Sequence, residues 1–174
     1  MTKNLMDFAL GTLIFFAVGY ALMMGPDVGG LIGVGDIFLR GASYDVGAYL
    51  SFFWMLVFAA TATTIVSGAV AGRIKFKIYL IYTVVITALI YPVYGHWVWG
   101  GGWLSQLPFG AGHMDFAGSG AVHGVGGFVG LAGAMVLGPR FGKFKKWEAS
   151  GYPGAFANSG STGYFHPLVR LVRL

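Results

Sequence analysis

His123 is the residue whose type and position most directly suggest chemistry. On a helix, the four positions that flank it on the same surface hold small residues, namely Ser119, Gly120, Gly126 and Gly127. The imidazole would therefore stand in a notch almost free of side chains. Ionisable groups inside apolar helices are rare and usually face a bundle interior or an aqueous cavity, so we predict that His123 belongs to a functional site. A neutral histidine that only hydrogen-bonds a neighbouring helix is the alternative.

Three tryptophans surround the three successive glycines at positions 100–102. These tryptophans are Trp97, Trp99 and Trp103. Such a group is typical of the aromatic belt at a membrane surface. Glycine also lets the backbone approach another group closely, and the face of a Trp ring attracts small cations. The segment 97–103 is therefore a second candidate for a ligand site. In a different segment, Trp54 and Phe58 are spaced to share one helix face.

Histidine spacing argues against a metal centre. His96, His113 and His123 lack the paired spacing of a helical metal site, and a sequence without cysteine has no thiolate ligand or cysteine nucleophile. We expect no metal and no cofactor; a membrane enzyme that uses His96, His113 and Asp115 as ligands is a less favoured alternative. Asp115 precedes an apolar segment, where a carboxylate can cap the first N–H groups of a helix.

The segments that hold these residues are too apolar for a water-soluble domain. Hydrophobic residues make up 56% of the 174 residues and charged residues 10%, and the mean hydropathy is +0.72. A bilayer core of about 30 Å needs roughly 20 apolar helical residues. Stretches that approach or exceed this length without a charge lie at 8–24, 46–71, 78–97 and 119–137. We predict an all-α polytopic membrane protein with four spans, in which Pro92 kinks or ends the third helix near Tyr91.

Basic residues indicate the orientation of these spans. Lys3, the segment 73–77 and the segment 140–146 supply eight Lys and Arg on one side, and Arg40 lies alone on the other. The positive-inside rule then predicts that both termini are cytoplasmic and that residues 25–47 and 98–118 are external. Because orientation accounts for the net charge of +5, we expect no nucleic-acid partner.

Glycines indicate how the fourth span packs. Gly120, Gly124, Gly127 and Ala134 recur at intervals of three, four and seven residues, with Gly126, Gly130 and Gly133 alongside. Small residues at this spacing let helix backbones approach closely, so this helix is predicted to contact other helices rather than lipid alone.

Four stretches of the sequence resemble the ammonium transporter family, which comprises the Amt, methylammonium permease and Rh proteins. They are DFAGSGAVHG at 115–124, continuing to LGPR at 137–140, KNLMDFA at 3–9, FAATATTIVSG at 58–68 and GHWVWGGGWL at 95–104. Together they relate residues 3–144 to the family.

The resemblance implies a fold of eleven helices in two inverted five-helix halves, usually assembled as a trimer, with a narrow hydrophobic pore through each protomer. This chain is similar to the second to fifth of those helices. We therefore expect a partial transporter domain at residues 1–144, followed by a cytoplasmic loop or truncated tail at 145–174. The sequence itself is expected to be a fragment, a truncated product or one part of a split transporter.

Several residues match functional positions of the family by motif. The resemblance implies that the substrate pathway includes a gating phenylalanine, the tryptophan of an external ammonium-recruitment site and the first of two pore histidines, at Phe58, Trp99 and His123. It also implies that Asp115 shapes the outer vestibule. Trp54 and Met55 are expected to line the pore, although Phe and Gln are common in the family at these two positions.

The implied function is movement of ammonium or ammonia across the cell membrane, without enzymatic activity. Moving a bare ammonium-sized ion into a medium of low dielectric costs on the order of 20 kcal/mol. Removing its proton at neutral pH costs about 4 kcal/mol for an amine with a pKa of about 10. We therefore expect recruitment of the cation at an aromatic site, deprotonation, and passage of ammonia along the pore histidine. A non-transporting membrane subunit or an ammonium sensor is the alternative.

The resemblance also implies partners. Besides ammonium or ammonia and the lipid bilayer, these are the other copies in a homotrimer and a regulatory protein at the cytoplasmic face.

Overall fold

The computed structural model describes residues 2–41, 45–140, 144–145 and 148–149. It divides into two compact units, Met1–Gly138 and Pro139–Leu174. The first unit holds the helices and every residue predicted to have a functional role.

Four helices of the first unit have the length and apolar composition of membrane spans. They are α1, α-helical over Thr2–Ile14 and Tyr20–Met24 with π-helical Phe15–Gly19 between; α2, Val46–Val70; α3, α-helical over Phe76–Val85 and Tyr91–Trp99 with π-helical Ile86–Ile90 between; and α4, π-helical over Ser119–Gly124 and α-helical over Val125–Leu137. The predicted fold class, an all-α protein with four membrane-length helices, is confirmed.

The start of α1 differs most from the predicted span limits. The predicted start is residue 8, because the preceding residue, Asp7, is of a charged type, whereas the helix begins at Thr2. Asp7 lies inside the helix with 1% of its surface exposed, because Tyr79 and Thr64 donate hydrogen bonds to its carboxylate. The other predicted limits lie within two residues of the observed ones.

Pro92 does not end α3. The π-helical turn at Ile86–Ile90 comes directly before it, and such turns often occur where the regular hydrogen-bond ladder is interrupted, as it is by a proline without an N–H. The helix continues to Trp99. As a result, His96 and Trp99 lie at the same end of the bundle as the 100–118 connection.

The helix bundle has two ends, which we call the Trp99 end and the Lys3 end. The Trp99 end carries the connections 25–45 and 100–118. The Lys3 end carries the start of α1, the connection 71–75 and the end of α4 at Gly138. At the Lys3 end, Lys3 Nζ donates to the carbonyl of Ile74 at 3.3 Å, and the guanidinium of Arg73 donates to the carbonyls of Ala69 and Gly138.

Glycines bring α4 into close contact with α2, but the contact is made by Gly126 and Gly130 and not by the series Gly120, Gly124 and Gly127. A Cβ on Gly126 would lie 2.9 Å from both the carbonyl oxygen of Ala62 and the Cβ of Ile65, and one on Gly130 would lie 3.1 Å from the Cβ of Ala69. Real Cβ contacts are almost never closer than 3 Å, so a side chain at Gly126 would force the helices apart. This approach places α4 beside the face of α2 that carries Phe58.

An aromatic core joins α1, α2 and α3. The ring of Phe15 stacks on Phe52 with centroids 6.0 Å apart and meets the ring of Tyr91 at 5.9 Å. All three side chains are buried and come from α1, α2 and α3. Burial of large rings supplies extensive packing contacts, which helix association in a bilayer requires.

A hairpin closes the connection after α1. Its two-residue antiparallel strands are β1 (Asp27–Val28) and β2 (Ile32–Gly33), and a 3₁₀ turn at Ile37–Leu39 follows. The backbone N–H of Trp103 donates to the carbonyl of Gly30 at 2.9 Å, and Trp97 Nε1–H donates to the carbonyl of Leu31 at 2.7 Å. These bonds attach the hairpin to the end of α3.

The second unit contains one antiparallel pair among its described residues, β3 (Phe144–Lys145) and β4 (Glu148–Ala149). The rest of the loop or tail predicted at 145–174 lies outside the described residues.

The helix contact can be tested with two neighbouring glycines. Gly126→Ala is expected to lower the free energy of unfolding by about 1–3 kcal/mol, because its Cβ would overlap α2. Thermal unfolding of the detergent-solubilised protein provides the measurement. Gly127→Ala is the matched control: no atom lies within 4 Å of its added Cβ, and Ala favours a helix over Gly by up to about 1 kcal/mol. Equal stability of the two variants would contradict the close packing of α4 on α2.

Candidate functional site

Asp115 organises the start of α4. Its Oδ1 accepts hydrogen bonds from the backbone N–H groups of Gly118 and Ser119, at 2.9 and 2.8 Å, and its Oδ2 accepts from those of Gly120 and Ala121, at 2.9 and 2.7 Å. This is the capping geometry expected of an Asp before a span. Partial burial alone would raise the pKa of Asp115, but the four N–H donors outweigh it and the pKa lies below its usual value.

Gly118 forms the turn between Asp115 and the helix. Its φ of +85° is a left-handed conformation that favours glycine, and a Cβ there would meet the side chain of Val122 at 2.6 Å. The carbonyl oxygen of Gly118 accepts the backbone N–H groups of Val122 and His123, both at 2.9 Å. The first turn of α4 is therefore wide and π-helical, which rotates His123 relative to the rest of the helix.

The same carbonyl orients the His123 ring. Its Nδ1 lies 3.3 Å from the carbonyl oxygen of Gly118. A carbonyl can only accept, so this contact assigns the proton of the neutral ring to Nδ1 and leaves the lone pair on Nε2 as an acceptor. The residue is exposed, and Gly127, one turn further along α4, leaves open space around its position. Of the four small residues predicted to form a notch beside the imidazole, Gly127 leaves open space, whereas Gly126 packs against Ala62 and Ile65 of α2.

Trp99 links Asp115 to Phe58. Its Nε1–H donates to the backbone carbonyl of Asp115 at 2.8 Å, and its ring edge lies against Gly118. The ring of Phe58, on α2, approaches the Trp99 ring with centroids 5.8 Å apart and planes inclined by 44°. Both side chains are half-buried. We call the series Phe58, Trp99, Gly118 and His123 the aromatic–histidine cluster.

The two remaining predicted pore residues differ in their surroundings. The ring of Trp54 meets Phe58 edge-on with centroids 5.8 Å apart, and 65% of its surface is exposed. Met55 is half-buried against the aromatic core. Trp54 therefore lies next to the cluster, and Met55 lies on the side of α2 that packs against the aromatic core.

A separate groove of about 580 Å³ lies between the second half of α3 and α4. Its lining includes Tyr94, Trp97, Gly120, Gly124 and Phe128, and it is almost entirely apolar. Gly120 and Gly124 of α4 both line this groove. The aromatic–histidine cluster is not part of its lining.

His96 pairs with Asp27 in a contact that sequence reasoning missed. Its ring is fully buried, with Nδ1 donating to the carbonyl of Met23 at 2.8 Å and Nε2 lying 2.9 Å from Asp27 Oδ1. The hydrogen bond with His96 lowers the pKa of Asp27, and the N–H of Gly30 adds to the effect against a partial desolvation. The pair fastens the β1–β2 hairpin to α3. No spacing in the sequence could reveal it, because the partners are 69 residues apart.

The role of Asp115 gives a testable prediction. Asp115→Asn keeps the size of the side chain but turns an NH₂ group toward backbone donors, so we expect a loss of roughly 1–3 kcal/mol in stability. Because the folded pKa is depressed, the carboxylate stabilises the fold fully above its unfolded pKa near 3.8, and this stability is lost as pH falls through the lower folded value.

Thermal melts of the native protein between neutral and strongly acidic pH provide the measurement. The Asp115→Asn variant should melt lower at neutral pH and lose less stability on acidification than the unaltered protein. Met114→Ala, a substitution at the exposed neighbour, serves as control and should change neither quantity. Parallel acid curves for Asp115→Asn and the unaltered protein would exclude the carboxylate as the cap.

Comparisons with known proteins show the family to which the chain belongs. The model of the Ammonium Transporter Family matches residues 1–161. The chain is 57% identical over 161 residues to the ammonium transporter Amt2 of Archaeoglobus fulgidus, covering 89% of this chain and 34% of that protein. It is 48% identical over 170 residues to a putative ammonium transporter of Synechocystis sp., covering 94% of this chain and 37% of that protein.

A solved structure has a similar fold. The structure described as "Sensor Amt Protein" aligns with a TM-score of 0.76 and 37% identity, over 86% of this chain and 38% of that one. The chain spans about a third of the length of the curated relatives. Family model, sequence identity and fold lead to the same result: the chain belongs to the ammonium transporter family.

Proposed function

We propose that the protein containing this chain moves ammonium or ammonia across a membrane, and that the aromatic–histidine cluster forms part of the pathway. Four membrane-length helices and the family make the chain part of a multi-pass membrane protein. The observation that carries the proposal is the contact series from Phe58 through Trp99 and Gly118 to His123. Phe58, Trp99 and His123 come from three different helices.

Trp99 is the proposed recruitment residue. Its Nε1–H is used by the Asp115 carbonyl, which fixes the ring plane and leaves the ring face as the surface for a small cation. An ordered ring loses no rotamer freedom when the cation binds. The half-buried ring of Phe58 stands next to it, so a cation that passes must leave water at this point.

His123 is the proposed acceptor beyond the aromatic pair. With the proton on Nδ1, Nε2 can accept a hydrogen bond from ammonium or ammonia. Because a bare cation in low dielectric costs on the order of 20 kcal/mol and deprotonation about 4 kcal/mol, the transported species past Phe58 is ammonia. Asp115 contributes by holding the first turn of α4, since its carboxylate oxygens are occupied by backbone donors.

The orientation is also part of the proposal. The Lys3 end holds Lys3, Arg73, Lys75 and Lys77, which favours a cytoplasmic position for that end and an external one for the Trp99 end. Homotrimer assembly and a regulatory protein at the cytoplasmic face stay predictions from the family resemblance. The sensor or non-transporting subunit stays the alternative, and the cluster favours transport over it.

The recruitment role predicts the effect of Trp99→Leu. Loss of a cation–π contact worth about 0.5–2 kcal/mol should weaken the apparent affinity for methylammonium by about 2- to 30-fold. Uptake by the native protein in proteoliposomes provides the measurement. Trp103→Leu, which removes a tryptophan outside the cluster, is the control and should retain affinity. Unchanged affinity in Trp99→Leu would remove this ring from the recruitment site.

The acceptor role predicts the effect of His123→Asp. A carboxylate beside the passage stabilises a cation, so the variant should shift transport from ammonia toward the charged ion while membrane insertion persists. The measurement is charge moved per methylammonium transported, from electrical current and isotope uptake in the same liposomes. Ser119→Ala, on the same turn of α4, is the control. The same charge ratio in His123→Asp and the unaltered protein would exclude His123 from the pathway.

A further inference from the structure

The apolar groove between α3 and α4 runs along one half of the helix bundle. Its lining extends over residues 89–97 of α3 and residues 120–129 of α4. Eight residues of α-helix span about 12 Å, and one leaflet of the hydrocarbon core is about 15 Å thick. Because Trp97 and Gly120 lie at the Trp99 end of the bundle, the groove follows the depth of one leaflet and stops near the middle of the membrane.

The walls of the groove suit a hydrocarbon chain. Leu89 on α3 and Phe128 on α4 are exposed apolar side chains, and none of the described residues that line the groove is charged. Gly120 and Gly124 leave the wall between them without side chains. A volume of about 580 Å³ lies within the usual range for ligand pockets, roughly 300–1,000 Å³.

Two polar atoms lie at the Trp99 end of this groove. A Cβ on Gly120 would lie 3.3 Å from Tyr94 Oη and 3.8 Å from His113 Nε2, so both atoms face this glycine. His113 Nε2 is buried, and no described residue shares a hydrogen bond with it. Buried polar atoms in folded proteins nearly always have a partner. A ligand that fits the whole groove therefore carries a hydrogen-bonding atom at one end and an apolar chain beyond it.

Neither a water molecule nor a partner helix matches both features. Water would satisfy His113 Nε2, but apolar cavities stay dry, and one water takes up only about 30 Å³. A transmembrane helix would cross the whole core of about 30 Å, more than twice the length of the groove. A membrane lipid has the required length, the apolar chain and the polar atoms at one end.

We propose that the groove binds one glycerolipid from the leaflet at the Trp99 end. Its hydrocarbon chain lies between α3 and α4, and oxygen atoms of its glycerol linkage accept hydrogen bonds from Tyr94 Oη and His113 Nε2. Trp97 lies at the same level, consistent with the enrichment of tryptophan at membrane interfaces. Since Gly120 and Gly124 belong to the π-helical start of α4, the lipid contacts the turn that orients His123.

Photo-cross-linking tests the position of the lipid. The probe is phosphatidylcholine with a diazirine in the middle of one acyl chain, added in equimolar amount to the native protein in detergent. We expect labelling at residues 89–97 and 120–129 to be several-fold stronger than at Phe8 and Leu13, exposed side chains of α1. Labelling spread evenly over the exposed apolar side chains would overturn the proposal. So would a groove without label because another protein segment or a second copy fills it.

Two substitutions on α4 test the groove itself. Gly124→Leu places a side chain in the groove and should lower the labelling there at least several-fold. Ala132→Leu is the matched control, because it adds the same side chain at an exposed position of α4 outside the lining. Equal labelling of the groove in the two variants would exclude a bound acyl chain.

Tyr94→Phe tests the polar end and keeps the test decisive if Gly124→Leu does not fold. It removes one hydroxyl group and should weaken phosphatidylcholine binding by about 2- to 10-fold, the contribution of one hydrogen bond. Native mass spectrometry during a lipid titration gives the dissociation constant. Tyr49→Phe, which removes the hydroxyl of an exposed tyrosine outside the groove, is the control. The same dissociation constant in Tyr94→Phe and the unaltered protein contradicts the proposed lipid contact.

Discussion

The structure depends on how the Asp115 carboxylate satisfies the first backbone N–H groups of α4. In a bilayer, an unpaired backbone group costs several kcal/mol, and a helix that begins near the membrane surface needs partners for its first turn. Asp115 provides four acceptor contacts with one side chain, and its negative charge also opposes the positive end of the helix dipole. Its own backbone carbonyl holds Trp99. Asp115 thus positions both the Trp99 ring and the start of α4.

Close packing of α4 on α2 completes the cluster. Phe58 belongs to α2, Trp99 to α3 and His123 to α4, so no single helix can bring the three together. Gly126 and Gly130 allow α4 to approach α2 at backbone distance. Because helices in lipid gain little from the hydrophobic effect, such close contact is the main source of association. The glycines and the Asp115 cap therefore act on the same geometry, one from the middle of α4 and one from its start.

Much of this arrangement could be predicted from the sequence. Apolar runs of about 20 residues indicated all four helices, since the bilayer thickness sets a minimum length. The motifs around Phe58, Trp99, Asp115 and His123 indicated which side chains to consider. The abundance of glycine indicated that α4 packs on other helices, but the contact with α2 uses Gly126 and Gly130 instead of the series Gly120, Gly124 and Gly127. The distances among these residues required the structure, because they depend on how three helices pack.

Other features could not be predicted for physical reasons. Asp7 and Tyr79 are 72 residues apart, and His96 and Asp27 are 69 residues apart, so local spacing carries no signal for either pair. Asp7 was treated as a limit of α1 because charge usually marks the end of a span, a rule that does not hold where a neighbouring helix supplies hydroxyl donors. The π-helical turns depend on small differences in hydrogen bonding that composition does not reveal.

The central claim is that His123 borders a passage for a small neutral molecule. The most direct measurement is a high-resolution structure of the native protein in a lipid nanodisc, in which the surroundings of the His123 ring can be read. We expect a narrow cavity beside Nε2 that continues to the rings of Phe58 and Trp99. Lipid acyl chains against the ring, or bulky side chains filling the space beside Nε2, would contradict it.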